Sequence, residues 1–151
     1  MSVSTVPVET SLADRCAAGC HDVVALVGRI LMSWIFISSG FGKITDVAGF
    51  AAGLAKRGVP APSFMGWLGA IVELGGGLLI LLGVKLRYTA ILMILFVIVA
   101  TLISHRYWDY PVDQLVAQKT NFWKNVTIIG GMLFMFLAGA GRYSVDGFRK
   151  Q

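Results

Sequence analysis

The sequence predicts an all-α fold: a four-transmembrane-helix bundle with a short interfacial helix between helices one and two. Three observations carry this. The chain has 151 residues, 56% hydrophobic and only 14% charged, with a mean hydropathy of +0.75; a soluble domain usually carries about 25% charged residues. Four apolar stretches each run about 17–20 residues, the length a hydrocarbon core of about 30 Å requires. None alternates as a transmembrane barrel strand would, and a backbone in lipid must bond to itself, which favours helices.

Met1–Asp22 is polar and lacks the apolar core and small-residue cleavage site of a signal peptide. The organisation expected is a polar N-terminal segment over 1–22, a membrane domain over 23–141 and a cytoplasmic tail over 142–151. Cys16 and Cys20 are the two cysteines, too few for a disulfide scaffold. Cys16-Ala-Ala-Gly-Cys20-His21 has one residue more than the haem-attachment spacing. The same residues fall one ligand short of a zinc tetrad. They read as reduced thiols on an amphipathic helix entering the membrane, with no metal bound.

The first span, Val23–Phe41, contains Arg29. Arg29, Ser33, Phe36, Gly40 and Lys43 recur at steps of four and three and share one helix face. Asp46 can cap a short helix running to about Arg57, with Val47, Phe50, Ala51 and Leu54 on one side. Gly58 ends it, and Val59-Pro60-Ala61-Pro62 prevents its continuation. This helix is expected at the membrane interface.

The second span, Trp67–Val84, contains Glu73 among apolar residues and glycine. Gly66, Gly69, Glu73, Gly76, Gly77 and Ile80 share a face, and small residues let helices pack closely in lipid. Lys85-Leu86-Arg87 joins it to the third span, Tyr88–Ser104, so the two must be antiparallel. His105–Asn121 reads as a polar connection whose Tyr107, Trp108 and Tyr110 suit the headgroup level. The fourth span, Phe122–Ala140, opens with Lys124 and Asn125.

The formal net charge is +5. Its Lys and Arg flank apolar segments as membrane anchors do, which argues against nucleic acid as a partner. Four crossings put both termini on one side, with Lys85, Arg87, Arg142, Arg149 and Lys150. Short, basic connections favour the cytoplasm for that side.

Glu73 is the candidate centre. A charge at mid-membrane costs at least about 2.5–3.5 kcal/mol and needs a partner. Arg29 lies about 10 Å and Glu73 about 16 Å from the same end of the bundle, at 1.5 Å per residue. An Arg29–Glu73 ion pair is therefore expected. Lys43, Thr101, His105, Lys124 and Asn125 gather toward the opposite end as the rim of a cavity with Glu73 at its floor. Lys124 and Asn125 are expected to be buried there. Such a cavity suits a proton or a carbonyl-bearing headgroup such as a quinone. The bland reading is that Arg29 sets helix register and that Lys43 and His105 snorkel to headgroups. No P-loop, Rossmann glycine pattern, zinc-protease motif or nucleophile elbow occurs.

Several stretches together resemble the DoxX family of small bacterial four-helix membrane proteins. They are Arg29 with Gly40-Phe-Gly-Lys43; Gly49-Phe-Ala-Ala-Gly-Leu54 followed by Gly58-Val-Pro-Ala-Pro62; Glu73-Leu-Gly-Gly-Gly77; Gly83 with Arg87; and Gly139-Ala-Gly-Arg-Tyr-Ser-Val-Asp146. The resemblance runs from about Val27 to Asp146, and the family's proline near Ala140 is missing here. It implies a multi-pass protein of the bacterial inner membrane, associated with thiosulfate:quinone oxidoreductase or quinol oxidase systems. It supplies no catalytic residues.

The expected function is a subunit of a quinone-linked electron-transfer system. Glu73 would take a proton or a hydrogen bond, Arg29 would be its counter-charge, and quinone would be the one non-covalent cofactor. Expected partners are the bilayer and other membrane subunits or further copies of the chain. Two alternatives stay open: a non-catalytic assembly subunit, and a small-solute transporter, which the lack of a broken helix or inverted repeat disfavours.

Overall fold

The computed structural model describes residues 11–149. Among them are six α-helices and one 3-10 turn. α1 (Leu12–Thr45), α3 (Pro62–Leu82), α4 (Leu86–Ser104) and α5 (Val112–Ala138) are long. α2 (Val47–Lys56) and α6 (Val145–Phe148) are short. α1, α3 and α4 are long and apolar enough to cross a membrane. Large apolar side chains such as Trp34, Leu95 and Phe134 face outward along the bundle.

α1 begins well before the first predicted span. Ser11 caps it and Asp14 reaches back, each side chain bonding the other residue's backbone N–H. The polar segment before Val23 is thus, from Leu12 on, the first turns of one 34-residue helix. Its buried positions are Arg29, Ser33, Phe36 and Gly40, the face the spacing predicts. Cys16 and Cys20 are free and exposed on it.

α2 forms as expected: Asp46 accepts the Gly49 N–H at 2.9 Å. Its apolar side, Ala51 and Leu54, is buried. Ala51 meets α3 near Gly66, so this side rests on protein. α3 starts earlier than predicted because Pro62 stands at its first turn, where a missing N–H costs nothing. Gly83 ends it with a φ of 66°.

α1 and α3 pack most closely where Gly40 faces Leu74. A Cβ on Gly40 would lie 2.6 Å from the Leu74 nitrogen, so only glycine permits this approach. Met93 and Val97 of α4 and Met132 of α5 complete the core with Phe36 and Ile80.

Two expectations are corrected. The connection His105–Asn121 is mostly not a loop: after the 3-10 turn Tyr107–Asp109, α5 starts at Val112 behind Pro111, which stands in extended conformation (φ −64°, ψ 160°) at the N-cap. And residues 142–149 are not a free tail. The Asp146 carboxylate accepts the N–H groups of Lys85 and Leu86 at 2.8 and 2.9 Å, capping α4 from 60 residues away. The side chain of Ser144 is buried.

Candidate functional site

Glu73 lies on the buried face of α3, one residue from the Gly40–Leu74 contact. The same close approach brings Lys43, one turn beyond Gly40 on α1, to its carboxylate. Lys43 Nζ and Glu73 Oε2 form an ion pair. The carboxylate side chain is 8% exposed and the lysine 28%. Lys43 also donates to Ser39 Oγ at 3.2 Å and sits 5.1 Å from the Phe50 ring centroid. The apolar side of α2 thus covers the ammonium with an aromatic face.

Arg29 does not pair with Glu73. It is 1% exposed at the middle of α1, four turns before Lys43 and beside the C-terminal end of α3. Its Nη1 donates to the Leu81 carbonyl at 2.7 Å and its Nη2 to the Tyr143 carbonyl. The sequence estimate allowed the arginine to lean toward mid-membrane, but the carbonyls at the C-terminal end of α3 are nearer. A cation there also meets the negative end of the helix dipole. Among the described residues its Nε has no hydrogen-bond partner.

A cleft of about 950 Å³ opens beside the Lys43–Glu73 pair. Both members of the pair line it, with Ser39, Phe50 and Arg57 on their side. Across it stand His105, Lys124 and Asn125. Most other lining residues are apolar, including Leu68, Leu92, Phe96 and Ile128.

The far wall is held by side-chain bonds. Asn125 Nδ2 donates to Thr101 Oγ1 at 2.8 Å, and that hydroxyl donates to the Val97 carbonyl at 2.6 Å. Thr101 is buried behind the wall and positions Asn125; it is not part of the lining. His105 Nδ1 lies 2.8 Å from Gln118 Oε1, which leaves Nε2 for other partners.

Lys124 corrects an expectation: it is exposed and donates to Asn121 at 3.0 Å, so it stands at the lip, not in the interior. Of the sequence candidates, Glu73, Lys43, His105, Lys124 and Asn125 meet at one cleft, while Arg29 and Thr101 do not line it. Ser39, Phe50, Arg57 and Gln118 were missed. Ser39 and Phe50 were legible, one lying a turn before Lys43 and the other on the apolar side of α2. Gln118 was hidden by the loop reading.

The arrangement combines an apolar volume, a nearly dry carboxylate with its cation, and a fixed amide and imidazole opposite. It can seat an amphiphile and hydrogen-bond its head from two sides.

The DoxX family profile matches residues 24–106. Inner membrane protein YqjF of Escherichia coli is 41% identical over 126 residues, covering 83% of this chain and 92% of that protein. Inner membrane protein YphA of the same organism is 35% identical over 124 residues, covering 82% and 89%. The uncharacterized membrane protein Rv3486 of Mycobacterium tuberculosis is 27% identical over 138 residues, covering 86% and 82%. No solved structure matches. The apolar helices, the profile match and these relatives lead to one conclusion: the chain belongs to the DoxX family of membrane proteins.

Proposed function

We propose that this protein holds a quinone-class amphiphile in the cleft beside Glu73 and serves as a subunit of a membrane electron-transfer system. The observation that carries the reading is an ion pair facing an apolar cleft of about 950 Å³, near the upper end of the volume usual for small-molecule sites. A register device needs its charges but no adjoining volume. The Lys43 ammonium donates to one ring carbonyl, and Asn125 or His105 Nε2 to the other. Glu73 supplies or takes the proton that accompanies reduction or oxidation of the ring. Electrons come from a partner protein. In this reading α5 is a fourth crossing and both termini face the cytoplasm of a bacterial cell, as the basic residues around α4 and the C-terminus favour.

The test is extraction. The protein is purified in mild detergent from membranes that contain quinone, then extracted with organic solvent and analysed by chromatography. About one quinone per chain is expected, and Lys43→Met should lower the retained amount roughly tenfold, the loss of one charged hydrogen bond. If the wild-type protein retains none, and added quinone analogues do not raise its melting temperature, the reading fails and an assembly role takes its place.

A further inference from the structure

At the opposite end of the bundle a second cavity, of about 550 Å³, lies between the α3–α4 turn, the start of α4 and the segment after α5. Lys85, Arg87 and Arg142 line it together with Asp22 and Asp146. Two anions beside three cations would leave an ordinary, nearly balanced surface if they paired. Here the anions are already in use. Both Asp146 oxygens accept backbone N–H groups at the start of α4. Asp22 Oδ1 accepts the Arg142 N–H at 2.8 Å. Among the described residues, none of the three basic side chains forms an ion pair with a carboxylate. Arg87 spends Nε on the Phe136 carbonyl at 3.1 Å, a bond that fixes the guanidinium, and among the described residues its terminal nitrogens make no hydrogen bond.

The surroundings select a kind of anion. Tyr88, 76% exposed, lines the same cavity. Beyond it the outward face of α4 continues through Leu92, Leu95 and Val99, all exposed and apolar. On α5, Phe134 and Leu137 are exposed just before the cavity-lining Ala138. A phosphate among the three cations would therefore have hydrocarbon surface running away from it on both helices. We propose that this cavity binds the headgroup of an anionic phospholipid, with Lys85, Arg87 and Arg142 around the phosphate and the acyl chains along α4 and α5. The headgroup cavity shares no lining residue with the cleft at Glu73, while Leu92, Leu95 and Val99 border both the acyl track and that cleft.

The test uses the full chain in vesicles of phosphatidylcholine with about 20 mol% phosphatidylglycerol, followed by mild extraction and native mass spectrometry of the bound lipid. Near a surface each basic side chain strengthens attraction to anionic lipid about fivefold. The wild-type protein should retain phosphatidylglycerol over phosphatidylcholine by roughly tenfold or more. Lys85→Gln with Arg142→Gln should reduce that preference to near the bulk ratio. Arg106→Gln with Lys119→Gln, an equal charge change at the other end, should preserve it. Arg87→Lys, which keeps the charge, should also preserve it. Each variant is checked by its melting temperature in phosphatidylcholine alone, so that a folding defect is not read as lost binding. Equal loss in both double variants would overturn the proposal, since only net charge would then matter. Release of the lipid by millimolar inorganic phosphate would also overturn it, because the site would then take a free anion.

Discussion

Breaking the Lys43–Glu73 pair from its two sides should have unequal consequences. In Lys43→Met the carboxylate, 8% exposed, loses the ammonium, the one side-chain donor it has among the described residues. Orphaning one member of a buried pair costs about 3–5 kcal/mol. In Glu73→Gln the ammonium keeps Ser39 Oγ at 3.2 Å, the Phe50 ring face and its 28% exposure. The new amide can still accept from it, so the cost is about 1–2 kcal/mol. Lys43→Met with Glu73→Gln buries no charge and should recover about 2 kcal/mol relative to Lys43→Met alone. For a chain of this length 1 kcal/mol moves the melting temperature about 2–4 °C. Thermal unfolding in one detergent at neutral pH should then place Lys43→Met at least about 6 °C below wild type. Glu73→Gln and the double variant should fall between the two. If Lys43→Met melts no lower than Glu73→Gln, or the double variant melts lowest of all, the pair is not the buried, coupled unit described.

Other outcomes follow from the packing and the caps. Gly40→Ala drives a methyl against the Leu74 backbone and should cost about 1–3 kcal/mol. Gly75→Ala, with nothing within 4 Å of the new atom, should be neutral or stabilise by up to about 1 kcal/mol; the same melts check both. Asp146→Ala removes both acceptors from the start of α4 and should cost about 1–2 kcal/mol, seen as faster amide exchange at Lys85 and Leu86. The Arg142 N–H, and after it His21, hold the Asp22 carboxyl below its ordinary range. Its contribution is complete above the unfolded carboxylate pKa and disappears as pH falls through the lower folded value. Asp22→Asn should therefore lower the melting temperature at neutral pH, leave it little changed at acid pH, and so flatten the acid limb of the profile.

The helices were legible where the pattern was strong. Arg29, Ser33, Phe36 and Gly40 share a face because helical period fixes it, and burial follows. The capping chemistry of Asp46 is local, so α2 was legible too. The polar half of α5 was not, because Gln114, Gln118 and Lys119 belong equally to a helix or a connection without neighbours to decide. Much of the cleft could be inferred, since Lys43, His105 and Asn125 all lie near helix ends at one level. The partner of Glu73 could not. Depth along the helix axes pointed to Arg29, and Lys43 was read as part of the rim. The choice turned on the C-terminal carbonyls of α3 and on Tyr143, which sequence does not place. The docking of Asp146 on α4 is likewise a contact across 60 residues, with no local signal.

Arg29 is made early in synthesis, while one of the two carbonyls that receive its guanidinium belongs to Tyr143. For most of translation the first helix must carry a cation whose final seat does not exist. Closure of that end of the bundle is therefore a late event that waits for the last stretch of polypeptide. A chain cut short before Tyr143 would keep the Leu81 acceptor and leave the other terminal nitrogen of that guanidinium without its carbonyl.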